Sequence, residues 1–497
     1  MNAQNFDTAE FSSTKLDSAP FDATSLKSSY ISLKSAYKVE PYPEVSGRIE
    51  RLEEVKHRLL AIEKELVAAL QEDYGYRSEF DSVICDLMPA VQHINYTTKH
   101  LSKWVKSDKR HAGLMLSPSK VTVEYQPLGV VGVIVPWNFP IVLSIAPIVT
   151  VLAAGNRVMV KLSEHTPSTN QRIKTIFANL SEHVICVEGA ADVASQFSAL
   201  PFDHVMFTGS TAVGKLVAKA AAENLTPVTL ELGGKSPAVI AKDADIVRSV
   251  SAILLGKSIN AGQICVAPDY VLLPEGKEQA FVDEYLKQFE RAYLKGTLSK
   301  RSAQSLGQVT HIINEGQLQR LKSYLTDAQS KGATLHNVAT KYEQLEAQIP
   351  NSRLMLPQLL TGVTEDMLVM QHEVFGPLLP IKTYGSLDEA LAYINEKPRP
   401  LALYLMTNDR ETKRKVMNET HSGTVGINET LLQVAADDSP FGGVGESGMG
   451  RYHGIEGFRT FSHAKTVLDT PVWLPRSKLI VRYKKLIQRM LSALFLR

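Results

Sequence analysis

The spacing of apolar residues divides the chain into a helical first part and a longer part in which strands and helices alternate. Over residues 46–73 the apolar positions recur every three or four residues, which predicts one amphipathic helix, and a helical pattern continues to Trp104. From Val121 onwards, short apolar runs broken by glycine and proline predict strands, and residues 141–154 are apolar on nearly every side, as in a buried helix. Short strands that alternate with helices predict a doubly wound parallel sheet as far as about Glu231.

The same alternation resumes after residue 270. Apolar runs at residues 270–273, 379–384, 401–406 and 423–428 predict further strands, with helical patterns between them. We therefore expect an α/β protein with two doubly wound parallel-sheet domains, the second spanning about residues 234–440. A length of 497 residues exceeds what one hydrophobic core usually supports, which agrees with more than one domain.

Composition and charge narrow the class of protein. The 54 basic and 52 acidic side chains give a net charge of +2, so the chain lacks the excess of positive charge that is typical of nucleic-acid-binding proteins. Three cysteines, Cys85, Cys186 and Cys265, are too few and too scattered for a disulfide framework or a zinc site, and we expect no metal. The first residues show no secretory signal, and no apolar run is long enough to span a bilayer. These features predict a protein of the reducing cytoplasm.

Two short stretches carry candidate chemistry. Cys265 follows a polar, glycine-containing break at residues 260–263, where a thiol can be exposed, whereas Cys85 and Cys186 sit in apolar contexts and are interpreted as structural. Glu231 interrupts the apolar strand 228–232, where an acid is costly unless it is paired or useful, and two glycines that follow leave room around it. Taken singly, Cys265 is explained more simply as a buried structural thiol, and Glu231 as an ordinary charge on an edge strand. Taken together, they predict that Cys265 attacks a carbonyl and that Glu231 activates water.

Asn138 is a third candidate. It lies between two aromatic residues and two prolines, in the run Pro136-Trp137-Asn138-Phe139-Pro140. Its amide either caps a turn or, together with a backbone N–H at Cys265, holds a developing oxyanion.

Two glycine patterns are candidates for a nucleotide site. Residues 209–215 read GSTAVGK and mimic a P-loop, but Leu216 stands where a hydroxyl that binds Mg²⁺ belongs, so NTP hydrolysis is excluded. The segment still joins a strand to a helix N-terminus, which suits a pyrophosphate. Residues 443–448 match G-x-G-x-x-G, but no strand precedes them, so we interpret them as a flexible loop rather than a nucleotide site.

Longer motifs make the chain recognisable. It carries, in this order between about residues 120 and 465, the motifs PWNFP, VKLSE, FTGSTAVG, ELGGKSP, NAGQICVAPDY, EVFGP and PFGGVGESGMGRYHG. Together they resemble the aldehyde dehydrogenase superfamily, and the wording TPVTLELGGKSP and QICVAPDY is similar to its class 3 branch, in particular to bacterial coniferyl aldehyde dehydrogenases. The resemblance implies oxidation of a small-molecule aldehyde to the carboxylic acid with NAD(P)⁺, through a cysteine thiohemiacetal and thioester. The implied aldehyde is either aromatic, such as coniferyl aldehyde, or medium- to long-chain aliphatic.

The resemblance also implies a role for each matching residue. Cys265 is the nucleophile, Glu231 the general base, and Asn138 part of the oxyanion hole. The implied cofactor-binding residues are, in chain order, Trp137, Lys161, Glu164, Gly209, Ser210, Gly214, Glu373 and Phe375. Lys161 and Glu164 contact the adenosine ribose, Ser210 the pyrophosphate, and Glu373 the nicotinamide ribose with Phe375 packed nearby. Because Glu164 places a negative charge where the 2′-phosphate of NADP⁺ would sit, we expect NAD⁺ to be preferred, although class 3 relatives often use both.

The resemblance also implies an oligomerisation arm, and class 3 relatives are typically homodimers; composition and the alternation of elements supply the other divisions of the chain. The expected divisions are a flexible N-terminal tail (1–28), an NAD(P)-binding domain (29–108 and 128–233, to which 441–460 return), a catalytic domain (234–440), an oligomerisation arm (109–127 and 461–470) and a basic amphipathic C-terminal helix (475–497).

Two rival functions remain alternatives at this point. A CoA-acylating semialdehyde dehydrogenase is the nearer rival, but that branch lacks a glutamate equivalent to Glu231 because a thiol replaces the water. A retired enzyme kept as an NAD-binding protein is the second, against which stands the presence of every motif residue named above.

The C-terminal residues show a separate pattern. Over 475–497 the apolar residues fall on one helical stripe, with basic residues beside it and no acidic residue. We favour a helix docked on the protein's own dimer, since apolar stripes usually face protein. The alternative is peripheral contact with an anionic membrane surface.

Overall fold

The computed structural model of the protein describes residues 22–294, 308–338 and 352–496. Its strands, in chain order, are β1 (Asp108–Arg110), β2 (Lys120–Pro127), β3 (Val130–Ile134), β4 (Arg157–Lys161), β5 (Val184–Val187), β6 (His204–Gly209), β7 (Val228–Leu232), β8 (Pro237–Ile240), β9 (Tyr270–Pro274), β10 (Thr334–Asn337), β11 (Gln358–Thr361), β12 (Leu378–Tyr384), β13 (Ala402–Met406), β14 (Thr424–Ile427), β15 (Gly448–Met449) and β16 (Ser462–Asp469). The α-helices of the described residues are Ala23–Val39, Val45–Ala61, Glu63–Tyr74, Glu79–Ser82, Met88–Trp104, Gly113–Leu116, Val142–Ala153, Pro167–Ile176, Ala191–Ser198, Thr211–Ala222, Ile246–Ser258, Glu278–Phe289, Glu315–Ser330, Leu368–Gln371, Leu387–Asn395, Arg410–Glu419, Gly454–Thr460, Arg476–Arg482 and Lys484–Phe495.

The first sheet has six strands in the order β15-β7-β6-β3-β4-β5, and all neighbours are parallel except β15 and β7. Its central strand β3 is buried at every residue. Val131 and Val133 belong to one hydrophobic cluster and Val130 and Ile134 to another, because helices cover both faces of the sheet. The chain passes from β3 to β4 and β5 on one side and then to β6 on the other, so the winding direction changes between β3 and β6.

The second sheet has seven strands in the order β10-β11-β12-β9-β8-β13-β14. Only β10 pairs in the antiparallel sense, with β11. The predicted α/β class with two doubly wound parallel sheets is therefore confirmed.

A third, smaller sheet is antiparallel, with the strand order β1-β2-β16. Strands β2 and β16 pair from Lys120 opposite Asp469 to Pro127 opposite Ser462. This sheet lies in the two segments that were expected to form the oligomerisation arm.

Three expectations about helices were wrong. Within the supposed flexible tail, residues from Ala23 onwards form a helix that Asp22 caps and that buries Leu26 and Leu33, while residues 1–21 lie outside the described part. The single helix over 46–73 is broken at Ile62, although its periodicity continues in phase across the break, which is why the spacing did not reveal it. The C-terminal helix is likewise two helices separated at Tyr483.

Among the described residues, no helix has both the length and the apolarity needed to cross a bilayer.

Candidate active site

Most of the candidate residues lie at one edge of the first sheet. Glu231 is near the end of β7, Ser210 follows β6, Asn138 lies in the loop after β3, and Lys161 ends β4. Because these strands are parallel neighbours, their carboxyl ends meet at the same edge. Open α/β sheets bind ligands at this edge, next to the place where the winding direction changes.

Cys265 follows a turn with an uncommon backbone. Asn260 and Ala261 adopt left-handed conformations with φ values of 49° and 53°, which are costly for residues other than glycine. Asp81 accepts a hydrogen bond from the backbone N–H of Asn260 at 3.0 Å, and the buried Gln263 side chain donates to the carbonyl of Asn260 at 2.9 Å. Buried polar contacts thus hold the chain just before the half-buried Cys265 in one conformation.

Asn138 is tied directly to this turn. Its side-chain Nδ2 donates to the carbonyl oxygen of Gln263 at 3.1 Å, two residues before Cys265. Its own carbonyl oxygen accepts hydrogen bonds from Tyr74 Oη at 3.0 Å, Arg77 Nη1 at 3.0 Å and Asn260 Nδ2 at 3.1 Å. The buried amide is therefore fixed near Cys265, and its second N–H can donate a hydrogen bond to a ligand oxygen.

Glu231 is the most unusual acid of the site. It is 4% exposed, and neither of its carboxylate oxygens has a hydrogen-bond partner in the described structure. Burial raises its pKa well above the ordinary value for a glutamate. A buried carboxyl group without partners is costly and points to a function.

Charge links Glu231, Glu373 and Cys265. Burial, followed by the negative charges of Glu373 and Glu231, raises the pKa of the Cys265 thiol to about 12. The pKa values of Cys85 and Cys186 are also raised by burial to about 12, so thiol acidity does not single out Cys265. What singles it out is its place, beside two carboxyl groups and the Asn138 amide.

Glu373 and Phe375 lie on a loop of the second domain that reaches this region. Phe375 has a φ of 44°, and its ring meets that of Trp137 edge to face at 5.3 Å between centroids. Arg320 donates to the carbonyl of Val374 at 2.9 Å, and Lys235 donates to that of His372 at 3.1 Å. Two cations therefore hold the loop through its carbonyl oxygens.

The environment of Glu373 is crowded. Burial, followed by the charge of Asp269, raises its pKa to about 8. A Cβ atom at Gly233 would lie 2.1 Å from the Glu373 carboxylate, so glycine is required there.

An open cleft of about 460 Å³ adjoins these residues. It is lined by Thr211, Gly233, Gly234, Lys235, Glu365, Met370, Gln371, His372, Glu373, Lys397, Pro398, Arg399, Glu446 and Ser447. Ser210 caps the helix that begins at Thr211 by accepting from Val213 N at 3.4 Å, so this helix N-terminus lies beside the cleft. Such a terminus suits a phosphate group.

Lys161 and Glu164 lie at the neighbouring strand end and pair with each other. Their Nζ and Oε2 atoms are 2.6 Å apart. Burial alone would raise the pKa of Glu164, but the hydrogen bonds from Lys161 and from the backbone, together with the positive charge of Lys161, outweigh it and the pKa is lowered. A cation and an ionised carboxylate beside a helix N-terminus fit the hydroxyl and phosphate groups of a nucleotide.

Close packing explains why positions 209 and 214 are glycines. A Cβ atom at Gly209 would lie 2.6 Å from the Phe207 ring, and one at Gly214 would lie 2.6 Å from Leu232. Gly214 lets the helix approach the sheet closely, and Gly209 leaves room for the Phe207 ring of its own strand; both roles are distinct from direct contact with a ligand.

Sequence reasoning missed several residues of the site. Tyr452 is buried, and its pKa is raised by burial and by the charges of Glu231 and Cys265. Lys235 and Arg320 hold the loop of Glu373, and no pattern in the sequence marks them for that task.

The interpretation of residues 443–448 as a flexible loop that is not a nucleotide site needs a partial correction. They form a tight turn in which a Cβ at Gly443 would lie 1.9 Å from the Ser447 carbonyl oxygen, and the turn leads into β15. They are not the start of a strand-to-helix nucleotide motif, yet Glu446 and Ser447 line the cleft.

Comparisons with known proteins agree with this geometry. Residues 34–467 match the aldehyde dehydrogenase family. The chain is 47% identical over 467 residues to a probable coniferyl aldehyde dehydrogenase of Pseudomonas aeruginosa, covering 93% of this chain and 95% of that protein. It is 36% identical to the dimeric NADP-preferring aldehyde dehydrogenase of Rattus norvegicus, covering 85% of this chain and 89% of that protein.

A solved structure shows the same fold. It is the Mycobacterium tuberculosis aldehyde dehydrogenase complexed with NAD⁺, with a TM-score of 0.81 and 27% identity, covering 92% of each chain. The chain therefore belongs to the aldehyde dehydrogenase family and oxidises an aldehyde to a carboxylic acid with NAD(P)⁺ as the cofactor.

Proposed function

We propose that Cys265, Glu231 and Asn138 carry the reaction and that the substrate is an aromatic aldehyde of the coniferyl type. The observation that supports this most is the placement of a partnerless carboxyl group and a fixed amide around a single half-buried thiol. No other arrangement described above combines a nucleophile, a base and an oxyanion donor.

The first step forms a bond between the Cys265 sulfur and the carbonyl carbon. The free N–H of the Asn138 amide and the backbone N–H of Cys265 donate to the carbonyl oxygen as charge develops on it. The proton given up by the thiol passes to this oxygen, and the product is a thiohemiacetal. When the hydride leaves, the hydroxyl proton is released to solvent and the carbon–oxygen double bond of the thioester forms. Because two carboxylates raise the pKa of the thiol, protonation of Glu231, which its burial favours, makes the thiolate easier to form.

Bound NAD(P)⁺ supplies the oxidant by accepting a hydride from the substrate carbon. On the chain, Lys161 and Glu164 would hold the adenosine ribose, Ser210 and the helix N-terminus the pyrophosphate, and Glu373 the nicotinamide ribose. Close to Glu373 in the chain, Phe375 forms an aromatic pair with Trp137.

The last step hydrolyses the thioester. Glu231 removes a proton from water, the hydroxyl oxygen bonds to the acyl carbon, and the carbon–sulfur bond breaks. The carboxylic acid leaves, and Cys265 returns as a thiolate. Glu231 is needed as a base only in this step, so it can remain protonated beside the thiol during the earlier steps.

The proposal for the substrate rests on the Pseudomonas aeruginosa relative, which is named as a probable coniferyl aldehyde dehydrogenase. A panel of coniferyl, benzyl-type and medium- to long-chain aliphatic aldehydes, ranked by kcat/KM, tests it. We expect the coniferyl-type aldehyde to rank first, and a higher kcat/KM for a long aliphatic aldehyde would contradict this.

Formation of NADH that depends on both aldehyde and protein tests the assigned residues. Cys265→Ala is expected to abolish it, with Cys186→Ala as the matched control that retains it. CoA added to the assay should yield no acyl-CoA, because the site offers a base for water.

We further propose a cytoplasmic homodimer. The antiparallel sheet of β1, β2 and β16 offers strands for pairing between copies, and the rat relative is named as dimeric. The three free cysteines agree with a reducing compartment. Light scattering of the purified protein tests the dimer, and cell fractionation tests the compartment.

A further inference from the structure

The two C-terminal helices, Arg476–Arg482 and Lys484–Phe495, contain no buried residue. We name them the C-terminal helix pair. Their apolar side chains are exposed rather than packed on the body of the protein. Such a surface needs an explanation, because exposed apolar patches usually mark an interaction site.

The apolar residues of the second helix share one face. Leu486, Met490 and Leu494 recur at intervals of four residues and are 57%, 62% and 59% exposed. Phe495, at the end of the same helix, is also exposed. The helix therefore presents an apolar stripe to its surroundings.

The remaining surface of the helix pair is basic. No acidic residue follows Asp469 in the chain. The cations of the pair are Arg476, Lys478, Arg482, Lys484, Lys485 and Arg489. In the second helix, Lys485 and Arg489 lie beside the apolar stripe. An apolar face beside a purely cationic face is the pattern of helices that lie in the headgroup region of anionic membranes.

Arg476 ties the helix pair to the segment that joins β1 to β2. Arg476 donates to the carbonyl oxygens of Leu116 and Ser117 at 2.6 and 2.9 Å and to Ser119 Oγ at 3.0 Å. Next to this anchor, Leu114 and Trp473 are also largely exposed. Exposed apolar side chains therefore lie close in sequence to the anchor on both of the segments that it joins.

We propose that the C-terminal helix pair binds peripherally to an anionic lipid surface. The second helix has 12 residues and is about 18 Å long, which is too short to span a hydrocarbon core but sufficient to lie along its boundary. This differs from the sequence-based preference for docking on the protein's own dimer. Pairing the helix with its symmetry mate would bring cation against cation, whereas anionic headgroups compensate the charge.

Vesicle co-sedimentation of the full chain tests the proposal. The probe is a vesicle of phosphatidylcholine with phosphatidylglycerol, compared with phosphatidylcholine alone, at low and at raised salt concentration. We expect the protein to sediment with the anionic vesicles at low salt, to be released by salt, and to stay in solution with the neutral vesicles.

Two variants probe the two faces. Lys485→Glu with Arg489→Glu reverses charge on the basic face, and Leu486→Ser with Met490→Ser and Leu494→Ser removes the apolar stripe. Each is expected to weaken partition onto anionic vesicles by more than about tenfold. The matched control is Lys64→Glu with Lys322→Glu, which makes the same change in net charge at exposed positions elsewhere. It should bind like the unaltered protein.

Three outcomes would overturn the proposal. One is that the unaltered protein does not sediment with anionic vesicles. Another is that the charge-reversed and control variants bind equally. The third is that the serine variant changes the oligomeric state in the absence of lipid, which would show that a second copy of the chain covers the stripe. None of these readouts depends on enzymatic activity, so they are separate from the test of the proposed function.

Discussion

Glu231→Gln is expected to leave the first turnover intact and to slow every later one. Glutamine keeps the shape of the buried side chain and cannot remove a proton from water. Attack by Cys265 and oxidation of the bound aldehyde do not need this base, whereas hydrolysis of the thioester does. Rapid mixing of enzyme, aldehyde and NAD⁺ should therefore show a burst of about one NADH per active site, followed by a slow phase.

The size of the loss follows from the surroundings of the base. A positioned general base typically contributes about 10²- to 10⁴-fold, or about 2.7 to 5.4 kcal/mol of barrier. Glu373 also acts on Cys265 electrostatically, and with a pKa of about 8 only a minor fraction of it is ionised near neutral pH; that fraction can take over part of the proton transfer. We therefore expect a slow phase reduced by about 10²-fold, at the lower end of that range.

The control for this experiment is Glu373→Gln, which should raise the KM for NAD⁺ without separating the burst from the slow phase. A slow phase of unchanged rate in Glu231→Gln would refute the assignment, because the water would then be activated by another group. Loss of the burst itself would also contradict it, since the first turnover would then need Glu231.

Three further predictions follow from the site. Asn138→Ala should lower kcat by about 10²- to 10³-fold with an unchanged melting temperature, and a fall of less than threefold would remove the amide from the oxyanion hole. Glu164→Gln should raise kcat/KM for NADP⁺ relative to NAD⁺ by about tenfold, because it removes a negative charge near the 2′-phosphate; an unchanged ratio would contradict that placement. The third concerns stability: because the pKa of Glu231 is raised in the folded chain, its contribution is fully present below the unfolded pKa and is lost as the pH rises through the folded pKa. Glu231→Gln should therefore raise Tm more at mildly alkaline than at mildly acidic pH, which differential scanning fluorimetry measures.

The sequence contained most of the fold because burial follows local patterns. Strands such as β3 are buried on both faces and therefore read as continuous apolar runs. The helix Ala23–Val39 escaped detection because it buries only Leu26 and Leu33 among many serines and lysines, so its composition resembles that of a tail.

Some residues of the candidate site could be predicted from local sequence patterns, and others could not. Cys265 and Glu231 stand out locally, one after a glycine-containing turn and the other inside an apolar strand. Tyr452, Lys235 and Arg320 act through partners that are distant along the chain, and a single sequence does not contain those contacts. The break at Tyr483 was also hidden, because the apolar stripe continues across it.

The pairing of β15 with β7 has a consequence for how the protein is made. Gly448 lies opposite Glu231 and Met449 opposite Leu230, so the strand that carries the acid is closed by residues synthesised more than two hundred positions later. Until these emerge from the ribosome, β7 is an open edge of an apolar sheet, which is prone to pairing with other chains. We expect nascent chains that stop before residue 441 to aggregate or to engage chaperones, even though every residue assigned to catalysis has already been translated.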